Sequence, residues 1–134
     1  MRVYCDTNVF LDYLLDRSDS LRPLNDFAFL FFSKGWNCAF ELVVSEWLMH
    51  ELSLHVEKSK VSSLIEEFSS RSKLIHVKQD KSDWENAKHL SNHPDDALHA
   101  ILAERAECSF LVTRNLRHFE SVGHLCRIVP PEFV

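Results

Sequence analysis

Val3-Tyr4-Cys5-Asp6-Thr7-Asn8, running directly into Val9-Phe10-Leu11-Asp12-Tyr13-Leu14-Leu15, decides the fold. An apolar run that ends on a carboxylate, with a helical pattern behind it, places an acid at the tip of an opening strand. Open α/β sheets keep their chemistry at the carboxyl ends of their strands, so Asp6 is the first candidate for a functional group. The competing role for Asp6 is a helix cap, but Thr7 and Asn8 also offer capping oxygens and leave Asp6 free.

Outward from this stretch the chain alternates. Residues 2–6 read as a buried strand, 9–16 as a short helix and 16–19 as a polar turn. A helix is expected over Leu21 to Lys34, with Pro23 near its start and Gly35 just past its end. Cys38 to Val44 reads as a strand, and Ser45 caps a helix expected to run to about Ser59. Val61 to Ser70 is helical, Leu74 to Val77 a strand and Ser82 to Leu90 an exposed helix. His93-Pro94-Asp95-Asp96 opens a helix over Ala97 to Ala106, since proline and acids suit a helix start. Phe110 to Val112 and Cys126 to Val129 are the last strands, the second stopped by Pro130-Pro131. Strands alternating with helices predict an α/β fold with a parallel sheet covered on both faces.

Length and composition narrow the class. A chain of 134 residues is expected to form one domain, spanning 1–134. A hydrophobic fraction of 46% beside 26% charged residues is that of an ordinary globular protein with little room for disorder. The N-terminus lacks the pattern of a secretion signal, and the longest apolar stretch, Phe27 to Phe32, falls far short of the roughly 20 residues a membrane span needs. Cys5, Cys38, Cys108 and Cys126 are widely spaced and show no metal-binding pattern, so all four are expected to be buried thiols in a reducing cytoplasm. The formal charge is −5, whereas proteins that hold nucleic acid by phosphate neutralisation alone are basic. A polyanionic substrate would therefore need a local basic patch or a divalent cation on clustered carboxylates.

Three further positions supply such a cluster. On its helix Glu51 falls between Trp47 and Leu48 on the inward side, whereas Glu46 projects to solvent. An inward carboxylate needs a partner, either a structural arginine or lysine or a cation shared with other acids. Of the Asp95/Asp96 pair, one acid suffices to cap the helix. Asp96 shares its face with Ala100 and Ala103, which leave space around it, while Asp95 leans toward His99 four residues on. Thr113-Arg114-Asn115 follows a strand, so its polar side chains project from the carboxyl edge of the sheet. The amide oxygen of Asn115 can serve a hard cation without adding charge. Asp6, Glu51, Asp96 and Asn115 make an oxygen-rich set suited to Mg²⁺ or Mn²⁺, and such an ion can orient a phosphodiester and activate water for its hydrolysis.

The ordered motifs resemble the PIN domain family, most closely the small VapC-type toxin ribonucleases. They are Asp6-Thr7-Asn8 with Val9-Phe10-Leu11, Ser45 with Glu51-Leu52, Asp96-Ala97-Leu98-His99-Ala100, Val112-Thr113-Arg114-Asn115 and Arg117-His118-Phe119. The resemblance implies a three-layer α/β/α sandwich with a central, mainly parallel sheet. It also implies metal-dependent cleavage of RNA in which Asp6, Glu51 and Asp96 hold Mg²⁺ or Mn²⁺. Asn115 stands where the family often carries a fourth aspartate. Thr7, Asn8, Thr113, Arg114 and Arg117 would face substrate, a cognate antitoxin would cover the groove, and the apolar stretch from Leu24 to Phe32 would serve a homodimer. With two glycines, Gly35 and Gly123, the chain has no phosphate-cradling P-loop, no dinucleotide fingerprint and no GxSxG elbow. The alternative function is a catalytically silent module of the same fold that binds RNA or protein, with Asn115 marking a degraded site.

Overall fold

A computed structural model describes residues 1–134. Five strands, β1 (Arg2–Cys5), β2 (Glu41–Ser45), β3 (Leu74–Val77), β4 (Phe110–Val112) and β5 (Ile128–Val129), form one sheet in the order β3-β2-β1-β4-β5. Every pairing is parallel, with Tyr4 opposite Val43 on one side and Leu111 on the other. Six α-helices connect and cover the sheet: α1 (Thr7–Leu14), α2 (Leu24–Trp36), α3 (Glu46–Ser53), α4 (Lys58–Ser70), α5 (Asp83–Leu90) and α6 (Pro94–Arg105). Two 3-10 segments, Leu116–Val122 and Pro131–Phe133, complete the chain.

The sandwich follows from strand alternation. Val3, Cys5, Leu42, Val44 and Val112 point to one face and pack with α1, α2, α3 and α4 through Phe10, Phe32, Leu48 and Phe68. Tyr4, Val43 and Leu111 point to the other and meet Ala87 of α5, Leu98 and Leu102 of α6, and Phe119. A parallel sheet buried on both faces is the predicted three-layer α/β/α arrangement. The chain leaves β1 for β2 on one side and returns to β4 on the other. The switch point, where ligands bind in open α/β sheets, therefore lies between the carboxyl ends of β1 and β4.

Several expected boundaries move, for local reasons. The helix expected from Leu21 begins at Leu24, because Asp19 Oδ1 accepts the backbone N–H groups of Leu21 and Arg22 in a competing turn. It also continues through Gly35. The left-handed residue that closes it is Cys38, at φ 65°, with Cys38 N–H donating to Gly35 O and Ala39 N–H to Lys34 O. That is a Schellman closure without glycine, and it consumes residues 38–39, so β2 starts only at Glu41. It also leaves Cys38 exposed, which corrects the expectation of four buried thiols; Cys5 and Cys126 are buried and Cys108 is half-buried. Asp16, Ser72 and Glu107 close α1, α4 and α6 in the same left-handed way. Gly35 instead gives room, since a Cβ there would come within 2.4 Å of the edge of the Phe68 ring and 2.9 Å of Phe40. The helix expected to reach Ser59 stops at Ser53 in a tightened turn, after which Val56 turns into the core. The last strand shrinks to Ile128–Val129.

Candidate metal centre

Asp6 leaves β1 in extended conformation at ψ 151°, and its N–H extends the β1–β4 ladder by donating to Val112 O at 2.9 Å. Its carboxylate makes no capping bond to α1. It is 3% exposed and accepts the Thr113 hydroxyl at Oδ2, 2.8 Å away. The Thr113 oxygen in turn accepts the Asn115 N–H at 3.1 Å. Asp6 and Asn115 are therefore set by one hydroxyl that ends β4. Thr113 was expected to face substrate, but it is fully buried and spent on this support.

Glu51 reaches the same place from α3. Its Oε1 accepts Thr7 Oγ1 at 2.7 Å and also pairs with His99 Nε2. The inward carboxylate thus has histidine and threonine as its protein partners; of the two expected alternatives, the structural arginine or lysine is absent and the shared cation stays open. His99 itself is fully buried, its Nδ1 2.8 Å from the Tyr4 hydroxyl, which lies 2.7 Å from Ser45 Oγ. Asp95, four residues before His99, was expected to pair with it. Asp95 is instead exposed, and its backbone oxygen accepts the Trp47 indole at 3.2 Å.

The electrostatics follow from burial against charge. Burial lowers the proton affinity of His99, but the Glu51 hydrogen bond and the charges of Asp6, Glu51 and Asp96 outweigh it and raise the pKa. Burial alone would raise Glu51, yet the His99 hydrogen bond and charge bring it below its ordinary value. Both shifts favour a carboxylate facing an imidazolium. Asp6 is raised, chiefly by burial, against the opposing pull of His99 and Thr113. Asp96 goes up to about 6, through burial first and then the charges of Asp6 and Asp95. Acids that hold their protons this strongly are short of positive charge, which is the condition a bound cation relieves.

Asp6, Thr7, Asn8, Glu51, Asp96 and Asn115 line one cleft of about 260 Å³, together with Asp95, His55, His93 and His118. All four candidates for the oxygen-rich set are brought together. The donors fit a hard divalent ion, being carboxylate and amide oxygens with excess negative charge. Two arginines are placed differently. Arg114 turns its Nε onto Asp12 of α1, whose side chain is 1% exposed, and so braces α1 against the segment after β4. Arg117 is exposed on an adjoining groove of about 410 Å³ that it shares with Lys88, His93 and His118.

His93 and His118 were not expected at the site, and His99 was expected there chiefly as a partner of Asp95. His99 ties Glu51 to Tyr4 from behind the cleft. His93 and His118 stack at its rim with ring centroids 4.3 Å apart, and His118 Nδ1 lies 3.0 Å from Asp96 Oδ2. The spacing His93-x-x-Asp96 across a helix start was the one available local signal, since residues three apart are neighbours there.

Solved structures share this fold. VapBC2 from Rickettsia felis, bound to a DNA fragment from its promoter, aligns at TM-score 0.57 and 17% identity over 97% of this chain and 98% of that one. FitAB bound to an IR36 DNA fragment aligns at TM-score 0.56 and 15% identity over 98% and 96%. No curated protein matches the chain significantly. The PIN domain family model matches residues 2–117. The chain belongs to the PIN domain family, whose members are generally nucleases.

Proposed function

We propose that the chain is a divalent-metal-dependent endoribonuclease, the toxin of a toxin–antitoxin pair. The observation that carries this reading is the convergence of Asp6, Glu51, Asp96 and Asn115 in one cleft at the sheet's switch point. Asp6 and Asp96 would hold Mg²⁺ or Mn²⁺, with the Asn115 oxygen beside them. When bound, the ion would polarise the phosphodiester and lower the pKa of an attacking water. Glu51, fixed at Oε1 by Thr7 and His99, would orient the nucleophilic water. Asn8 lies beside the acids at the cleft, where it would touch substrate. The RNA backbone would follow the adjoining groove past Lys88 and Arg117, so that local basic groups offset the net charge.

The VapBC and FitAB assemblies support an antitoxin as partner. Phe29 and Leu30 of α2, 49% and 57% exposed, support a homodimer through that helix. No helix is long and apolar enough to cross a membrane; the proposed toxin would act in the cytoplasm. A second reading, a silent RNA-binding module, is favoured by two features: Asn115 brings no charge, and Glu51 is already engaged by Thr7 and His99.

The test is cleavage of a mixed RNA pool by the partner-free protein with Mg²⁺, Mn²⁺ or EDTA, beside Asp6→Ala and Asp96→Ala. Cutting that needs metal and is lost in both variants supports the nuclease. Intact RNA with every metal, from folded wild-type protein, would select the binding module.

A further inference from the structure

His93, Asp96 and His118 each offer one ligand atom, and these atoms lie within 4.8 Å of one another. We infer that the three form a second metal position, for a borderline transition ion of the Zn²⁺ class, beside the oxygen-rich centre and sharing Asp96 with it. The inference rests on the reading of Asp96 as a metal-binding acid.

The chemistry of the donors separates the two positions. Asp6, Glu51, Asp96 and Asn115 present oxygen alone, which suits Mg²⁺ or Mn²⁺. Two imidazoles and one carboxylate suit Zn²⁺ or Co²⁺, and by the Irving–Williams order they disfavour Mn²⁺. Three protein ligands with an open fourth position is the usual form of a reactive zinc site. The open position here would face the groove that carries Lys88 and Arg117, since His93 and His118 line both that groove and the cleft.

The geometry requires a small closure. At Zn–N distances of roughly 2.0–2.1 Å, tetrahedral ligands stand about 3.4 Å apart. His118 Nδ1 already lies 3.0 Å from Asp96 Oδ2. The two imidazoles are stacked 10° from parallel, so one must turn to bring both nitrogens onto a single ion. Both are exposed, with the His118 side chain 45% accessible, so rotation meets no packed core. Three features would otherwise be unrelated: a histidine on the loop before α6, another in the 3-10 segment after β4, and a carboxylate between them.

The measurement is Zn²⁺ affinity by competition with a chromophoric chelator, for metal-stripped wild-type protein, His93→Ala, His118→Ala and Asp6→Asn. Side-chain ¹⁵N–¹H correlation spectra of the histidines accompany it. Wild-type protein should bind Zn²⁺ with shifts confined to His93 and His118. Each histidine variant should weaken binding by at least the ~10–100-fold that even outer-shell changes cause at metal sites. Asp6→Asn should retain the affinity within about threefold, because it depletes the oxygen centre alone. Equal affinity in wild type and both histidine variants, a larger loss in Asp6→Asn, or no Zn²⁺ binding would overturn the inference. If RNA stays intact under every metal while Zn²⁺ binding still depends on His93 and His118, the nuclease reading fails and this site stands.

Discussion

Replacing Asp96 by asparagine should stabilise the metal-free protein while removing its response to Mg²⁺. Asp96 is crowded by Asp6 and Asp95, and its folded pKa stands at about 6 against an ordinary 3.8. The native state therefore binds more protons than the unfolded chain between those values. Stability from this group is greatest at low pH and falls as pH rises toward 6, after which the whole cost is present. At 1.36 kcal/mol per pH unit the cost is roughly 3 kcal/mol, an upper figure because the side chain is 16% exposed. Asparagine removes the charge and keeps an oxygen for His118. Differential scanning calorimetry in EDTA at pH 7.5 should show Tm higher by roughly 3–10 °C in Asp96→Asn, with the gap closing near pH 4. Mg²⁺ should raise the wild-type Tm and leave the variant's unchanged. A lower Tm for Asp96→Asn in EDTA at pH 7.5 would refute the claim that these acids are held apart from their preferred state for a cation.

Other perturbations probe the supports of the site. His99→Ala removes the buried imidazole between Glu51 and Asp6 and, if the pair is ionised, should cost about 3–5 kcal/mol in urea unfolding at pH 7; a cost under about 1 kcal/mol would mean the pair is not ionised. Arg114→Ala strands Asp12 and should cost a similar amount, whereas Asp12→Leu with Arg114→Met should cost far less; equal losses would show that packing, not charge, matters there. Gly35→Ala should destabilise by about 1–3 kcal/mol through its clash with Phe68 and Phe40. Ser72→Gly, at φ 54°, should stabilise by roughly 1 kcal/mol, and a chemical denaturation series in which these two changes share a sign would contradict the backbone reading.

The acids were legible where the signal was local. Asp6 is fixed by the junction of one strand and one helix, and Glu51 by its place on one amphipathic helix. Asp96 was separable from Asp95 because Ala100 and Ala103, both fully buried, lie along its face. His99 was not legible as Glu51's partner, since Tyr4 and Glu51 are 95 and 48 residues away and only the folded sheet brings them together. Helical spacing favours Asp95, four residues before His99, instead. Arg114 was misjudged for the same reason, as nothing near it in sequence announces the buried Asp12. The end of α2 was misplaced because the chain closes that helix on Cys38, while Gly35, the glycine expected just past its end, serves packing; α4 and α5 end at Ser70 and Leu90 as expected.

Whether the converged acids bind a hard divalent ion at all is the claim beneath the rest. Mn²⁺ titration of metal-stripped protein, followed by the electron paramagnetic resonance of free Mn²⁺, measures it without substrate. One Mn²⁺ per chain is expected, with affinity reduced by more than about tenfold in Asp6→Asn and Asp96→Asn, and less in Glu51→Gln because His99 and Thr7 already occupy Glu51. No stoichiometric Mn²⁺ in the wild type, or equal binding by wild type and both aspartate variants, would contradict the account.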